Sequence, residues 1–150
     1  MTNRTESPSI LVTAHDPGGG NMLLPLIARL QQTNATIHLC AHGPSVQLWE
    51  REGWSVSSSF ERREHVFNAV AALKPDMFLP GTSIAVGEDY RGDLEIIFCK
   101  AAKSNAIPTI SGIDARMNLQ ARFTHTVTGA LVVPDDVCAP DEWTRARLAQ

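Results

Sequence analysis

The chemistry-bearing residues of this 150-residue chain fall mostly in polar stretches that follow short apolar runs. The first stretch, His15-Asp16-Pro17-Gly18-Gly19-Gly20-Asn21, joins an imidazole and a carboxylate to three successive glycines. Glycines let backbone amides approach a ligand, and the positive end of a following helix receives an anion. His15 and Asp16 have the chemistry of a general base for a hydroxyl. The same residues also suit a tight strand-to-helix turn needing positive φ, with Asp16 as a cap and His15 as a neutral surface side chain. Both readings stand at this level. The spacing is not G-x-G-x-x-G, because Leu23 holds the third glycine's place, and no Gly-Lys-Ser/Thr follows to make a phosphate loop.

Gly81-Thr82-Ser83 offers two hydroxyls on a flexible backbone, suited to ligand contact or to turn capping. Ser111, Gly112, Asp114, Arg116 and Asn118 form a polar run after another apolar segment, either a cleft wall or a solvated loop. His38, inside a strand pattern, and His42, just after one, carry no metal-ligand spacing and read as satisfied core or edge histidines, so no metal site is expected. Cys40, Cys99 and Cys138 are odd in number and form no C-x-x-C, which points to a reducing, cytoplasmic setting. No nucleophile elbow, HExxH, kinase set or EF-hand loop is present. Trp49, Trp54 and Trp143 are scattered and read as packing or interface residues.

The elements that must position these groups alternate. Ile10 to Ala14 is a β-branched run read as a buried strand, and Met22, Leu23, Leu26, Ile27 and Leu30 mark one helix face after the glycines. Pro25 then falls near the first turn of that helix, where a missing amide matters least. Thr36 to Ala41 reads as a strand, Ser45 to Glu52 as a helix ending at Gly53, and Trp54 to Ser57 as a short third strand. Ser58-Ser59-Phe60-Glu61 has capping-box spacing ahead of the stripe Val66, Phe67, Val70 and Leu73. Strands are expected at Met77–Leu79, Ile107–Ile110 and Leu131–Val133. Helices are expected around Leu94–Ala102 and from Pro140-Asp141-Glu142 onward.

Strand–helix alternation predicts a Rossmann-like α/β domain over residues 1–150, three layers around a parallel sheet of about five or six strands. Ligands of such sheets bind beyond the carboxyl ends of the strands. A chain with 43% apolar and 19% charged residues has the composition of a globular domain. Its net charge of −3 argues against a broad nucleic-acid footprint. The last helix has no stop signal, so a second domain is expected to follow.

With these motifs placed, the chain resembles the N-terminal half of two-domain GT-B glycosyltransferases. The relatives it suggests group with bacterial polysaccharide-biosynthesis transferases and UDP-N-acetylglucosamine 2-epimerase-like proteins. The resemblance is carried by ILVTAHDPGGGNMLLPLIARL (Ile10 to Leu30), KPDMFLPGTS (Lys74 to Ser83), FCKAAKSNAIPTISGIDARMN (Phe98 to Asn118) and ALVVPDDVCAPDEWTR (Ala130 to Arg145), in the family's order. It implies an acceptor-side domain whose partner half supplies most of the nucleotide-sugar site. Gly18, Gly19, Gly20 and Asn21 would then line the interdomain cleft and face the donor phosphates or the acceptor, and His15 or Asp16 would be the candidate base for an acceptor hydroxyl. Thr82 and Ser83, with Asp114 and Asn118, would form the opposite wall. The donor half, or a partner chain standing in for it, lies outside this sequence, so sugar transfer by this half alone is not expected.

A different class of reading is a stand-alone, non-catalytic Rossmann-like binding or regulatory module, since no self-sufficient catalytic set is visible. A dehydrogenase fits less well. The third glycine is missing, and Cys40-Ala41-His42 stand where an acidic residue would meet a ribose. No resident cofactor is expected, and the face carrying the glycines would either stay wet or pair with a second copy of the chain.

Overall fold

The computed structural model describes residues 7–58, 60, 62–84 and 93–149. Strand β1 (Ser9–Ala14) lies between β2 (Thr36–Ala41) and β3 (Met77–Pro80), both parallel to it. A second parallel ladder joins β4 (Ile110–Gly112) to β5 (Asp136–Cys138). Single parallel bridges extend the row, Cys40 to Ser57 beside β2 and Phe78 to Thr109 between the two ladders. Counting the bridged residues, the spatial order of chain segments is 3-2-1-4-5-6, a Rossmann-like order.

Three parts of the expected sheet are corrected. The continuous sheet of five or six strands is instead one ladder of three strands and one of two. The expected strand at Trp54–Ser57 reduces to the single bridge at Ser57. Leu131–Val133 is not the last strand of the row, because Leu131 bridges Thr124 in the antiparallel sense. That role passes to Asp136–Cys138, where an exposed-intermediate-exposed pattern hides the strand from any hydrophobicity argument.

Alternation on β1 builds both faces at once. Leu11 points into a cluster with Val66 and Val70 of α3 (Arg63–Leu73) and with Ile97 and Phe98 of α4 (Leu94–Ser104). Ile10, Val12 and Ala14 point the other way, against Leu23 and Ile27 of α1 (Pro17–Leu30) and Trp49 of α2 (Pro44–Arg51). A parallel strand buried on both faces reads as a continuous apolar run, which is what the sequence of β1 shows. The Asp of the Lys74-Pro75-Asp76 entry ties β3 to β1: Asp76 N–H donates to Ser9 O (2.7 Å) and its carboxylate accepts from Ser9 N–H (3.0 Å). Asp135 does the same for the second ladder, accepting from Thr109 N–H and Oγ–H.

The glycines are not a loop before a helix; they are the helix. α1 starts at Pro17, so Gly18, Gly19 and Gly20 form its first turn, and none of them has positive φ. Pro25 consequently lies inside α1 and not near its start. The amide it lacks would have served Asn21 O, and both residues sit on the exposed side, where water can reach that carbonyl. The helix-start spacing at Ser58 to Glu61 includes Ser59 and Glu61, which lie outside the described residues, and α3 begins at Arg63 without a side-chain cap.

Gly18 and Gly20 are required for space, and Gly19 is close to its neighbours. A Cβ on Gly20 would stand 2.6 Å from Ser45 Oγ and 2.9 Å from Leu48 Cδ2, both on α2. Ser45 cannot swing aside freely, since its hydroxyl donates to Asp16 O at 2.7 Å, and Trp49 Nε1–H donates to Gly20 O at 3.2 Å. Gly20→Ala gains about 1 kcal/mol in helix propensity but overpacks this contact by about 1–3 kcal/mol. A net loss is expected, seen as a lower urea midpoint with unchanged slope; a raised midpoint would overturn the close-packing account.

Candidate functional site

The switch in strand order falls between β1 and β3, with α1 leaving to one face and α4 to the other. In open α/β sheets that point opens a ligand crevice. Here the chain fills it with its own groups. Glu95, in the first turn of α4 and 4% exposed, lies beneath both strand ends. Its Oε1 accepts from His15 N–H (3.1 Å), and its Oε2 accepts from Ser83 N–H (3.0 Å) and from Ser83 Oγ–H. Gly81 N–H donates to Thr13 O at 2.7 Å, and a Cβ on Gly19 would meet Gly81 Cα at 3.4 Å. Among the described residues a cavity of only about 10 Å³ borders Gly81, Thr82 and Glu95.

Burial pushes the Glu95 carboxyl up to about 7, and the negative charge of Asp16 adds to this, against the opposing hydrogen bonds from Ser83 and His15. When protonated, the carboxyl has Ser83 Oγ beside it as an acceptor, so the network survives in either state.

The positive end of α1 is likewise occupied from within. Asp16 caps the helix, its Oδ1 accepting from Gly19 N–H at 2.7 Å. Asp114 brings Oδ2 against Gly18, where any Cβ would overlap it. Its other oxygen pairs with Arg122 Nη1 at 2.5 Å. Arg122 belongs to a 3₁₀ turn at Ala121–Phe123 and is only 6% exposed; it also donates to the carbonyls of Thr82 and, at 3.1 Å, of Met117. A buried guanidinium of this kind is tolerated because its donors are satisfied on several sides.

The structure therefore gathers His15, Asp16, Gly18, Gly19, Thr82, Ser83 and Asp114 into one cluster, held by Glu95 and Arg122. Thr82 and Ser83 are buried in it: Thr82 Oγ–H donates to Gly112 O at 3.0 Å, and Ser83 turns to Glu95. Gly20 faces α2 instead, and Asn21 sits on the outer side of α1, donating to Pro17 O at 2.7 Å. Asn118, with φ at 55°, stands apart from the cluster on the wall of a cleft of about 880 Å³ beyond β4. His15 stacks on His42 with centroids 5.9 Å apart, and its Nδ1 has no hydrogen-bond partner among the described residues. His38 is a satisfied strand histidine, Nε2 lying 3.2 Å from Ser9 Oγ.

Two organising residues escaped sequence reasoning. Glu95 had a signal, a lone charge inside the apolar stretch Leu94-Glu95-Ile96-Ile97-Phe98, where an unpaired carboxylate has no place. Arg122 had none. A second buried acid, Asp93, anchors the start of α4 by accepting from Thr126 N–H and Oγ–H beside His125.

Because its folded-state value is raised above the ordinary 4.5, Glu95 favours the fold most below pH 4.5 and loses that contribution as pH rises through about 7. Glu95→Gln has no such titration. The stability of the wild-type chain relative to Glu95→Gln is expected to fall by about 3 kcal/mol between pH 4.5 and pH 8. Urea unfolding of both proteins across that range checks it, and parallel curves would refute the assignment.

No protein-family model matches the chain, and no curated protein matches it. Among solved structures it is similar to the Bordetella bronchiseptica enzyme WbmG in complex with NAD, at 18% identity and a TM-score of 0.47. The match covers 75% of this chain and 39% of WbmG, so the chain spans about two fifths of that enzyme's length.

Proposed function

We propose that this chain is the acceptor-side half of a nucleotide-sugar-dependent enzyme of bacterial polysaccharide or glycoconjugate biosynthesis. It would be built like the N-terminal half of a GT-B glycosyltransferase and inactive without a donor-binding half. The observation that carries this reading is the pair of carboxylates, Asp16 and Asp114, at the first turn of α1. They satisfy the positive helix end that a dinucleotide-binding half offers to a pyrophosphate. An edge already supplied with negative charge suits neutral hydroxyls better than donor phosphates.

His15 is the proposed base. Its imidazole stands at the end of the central strand, with a buried Nδ1 that has no partner among the described residues and a main chain fixed by Glu95. Asp16 is engaged as the cap of α1, which leaves the proton to His15. In this role Gly18, Gly19 and Gly20 bring α1 close to its neighbours, and Thr82, Ser83 and Asp114 shape the wall from behind. A second reading, a non-catalytic module, draws on the same packing, because each of the three glycines has an internal neighbour that accounts for it.

Turnover separates the two. The chain alone is expected to release no nucleotide from UDP- or GDP-sugars. A protein joining it to a donor-binding α/β domain is expected to transfer or epimerise sugar, and His15→Ala should slow that reaction about 100- to 10,000-fold. Turnover unaffected by His15→Ala, or none in the joined protein, would refute the catalytic reading.

A further inference from the structure

Among the described residues a cleft lies away from His15, between the segment following β4 and helix α5 (Glu142–Leu148). Its volume is about 880 Å³, and no acidic residue is among the described residues that line it, in a chain whose net charge is −3. Arg116 and Arg147 line it together with Asn118, Gln120, Thr124 and Trp143. Arg147 lies over the Trp143 ring, its guanidinium carbon 5.1 Å from the centroid, and with that face covered the residue is still 53% exposed. An indole left this exposed on a cleft wall lies outside the core and is available for stacking. Stacking uses the face of the Arg147 guanidinium and leaves its N–H edge for oxygens. Arg116 is steadied by Asp141 at 2.5 Å, and Asp141 is itself fixed as the cap of α5, accepting from Thr144 N–H at 2.8 Å.

We infer that this cleft binds a phosphorylated sugar. The arginines meet the phosphoryl oxygens, Trp143 takes the apolar face of the ring, and the amides and hydroxyl of Asn118, Gln120 and Thr124 serve ring hydroxyls. The shared chemistry is a phosphoryl group on a sugar, whether a free sugar phosphate or the ribose phosphate of a nucleotide. The inference stands on the cleft alone and does not depend on the sugar-transfer reading, which is tested by turnover and not by binding.

The test is calorimetric titration of the full chain at low salt with glucose 1-phosphate, UMP, inorganic phosphate and methyl glucoside. Both phosphorylated sugars, or one of them, are expected to bind at least tenfold more tightly than inorganic phosphate and methyl glucoside. The tighter of the two identifies the source. Arg147→Met and Trp143→Ala, whose exposed positions keep the fold intact, are each expected to weaken that binding about tenfold, while Trp143→Phe retains it. Equal binding of inorganic phosphate, no binding of either phosphorylated sugar, or unchanged affinity in both weakened variants would overturn the proposal.

Discussion

The carboxylate of Glu95 fastens the two strand ends that every other feature of the site refers to. One oxygen takes the amide after β1 and the other takes the amide and hydroxyl after β3, so the switch point is tied shut from below. Leaving either amide without an acceptor in this interior would cost about 1–3 kcal/mol, which offsets much of the penalty of burying the acid. The close approach of Gly19 to Gly81 follows from this fastening.

A second acid–base pair continues the same logic outward. Asp114 and Arg122 join the first turn of α1 to the loop after β3 and to the segment after β4. Among the described residues the two ladders of the sheet meet through a single bridge, between Phe78 and Thr109. Side-chain links therefore do at the carboxyl edge what further ladder hydrogen bonds would otherwise do. The consequence for function is a division of the edge. Around α1 it is close-packed and holds Asp16 and Asp114, while beyond β4 it is open and lined by arginine, amide and indole groups.

Much of this fold is legible in the sequence because burial on both faces writes itself as apolar runs, as in Ile10 to Ala14 and Met77 to Leu79. Asp136–Cys138 is not legible, since a short edge strand with exposed ends carries no such signature. The glycine run is visible but its conformation is not: sequence shows that a side chain is absent, and not whether torsion or crowding requires it. His15, Asp16, Thr82, Ser83 and Asp114 stand out as neighbours because strand ends collect polar residues. Arg122 does not, because its partners come from distant segments that only the folded chain assembles. Trp143 reads as a packing or interface residue in the sequence, and it stands exposed on an open cleft.

The glycines of this protein divide by handedness. Gly53 has φ near +80°, and a Cβ placed there would meet nothing within 4 Å, so a D-amino acid would suit it better than any natural substitution. Gly20 offers no such exchange. The L position is filled by Ser45 and Leu48, and the D position conflicts with the right-handed helix that holds it. Stereochemistry can relieve the first kind of glycine, whereas the second is fixed by its neighbours and can change only if they change with it.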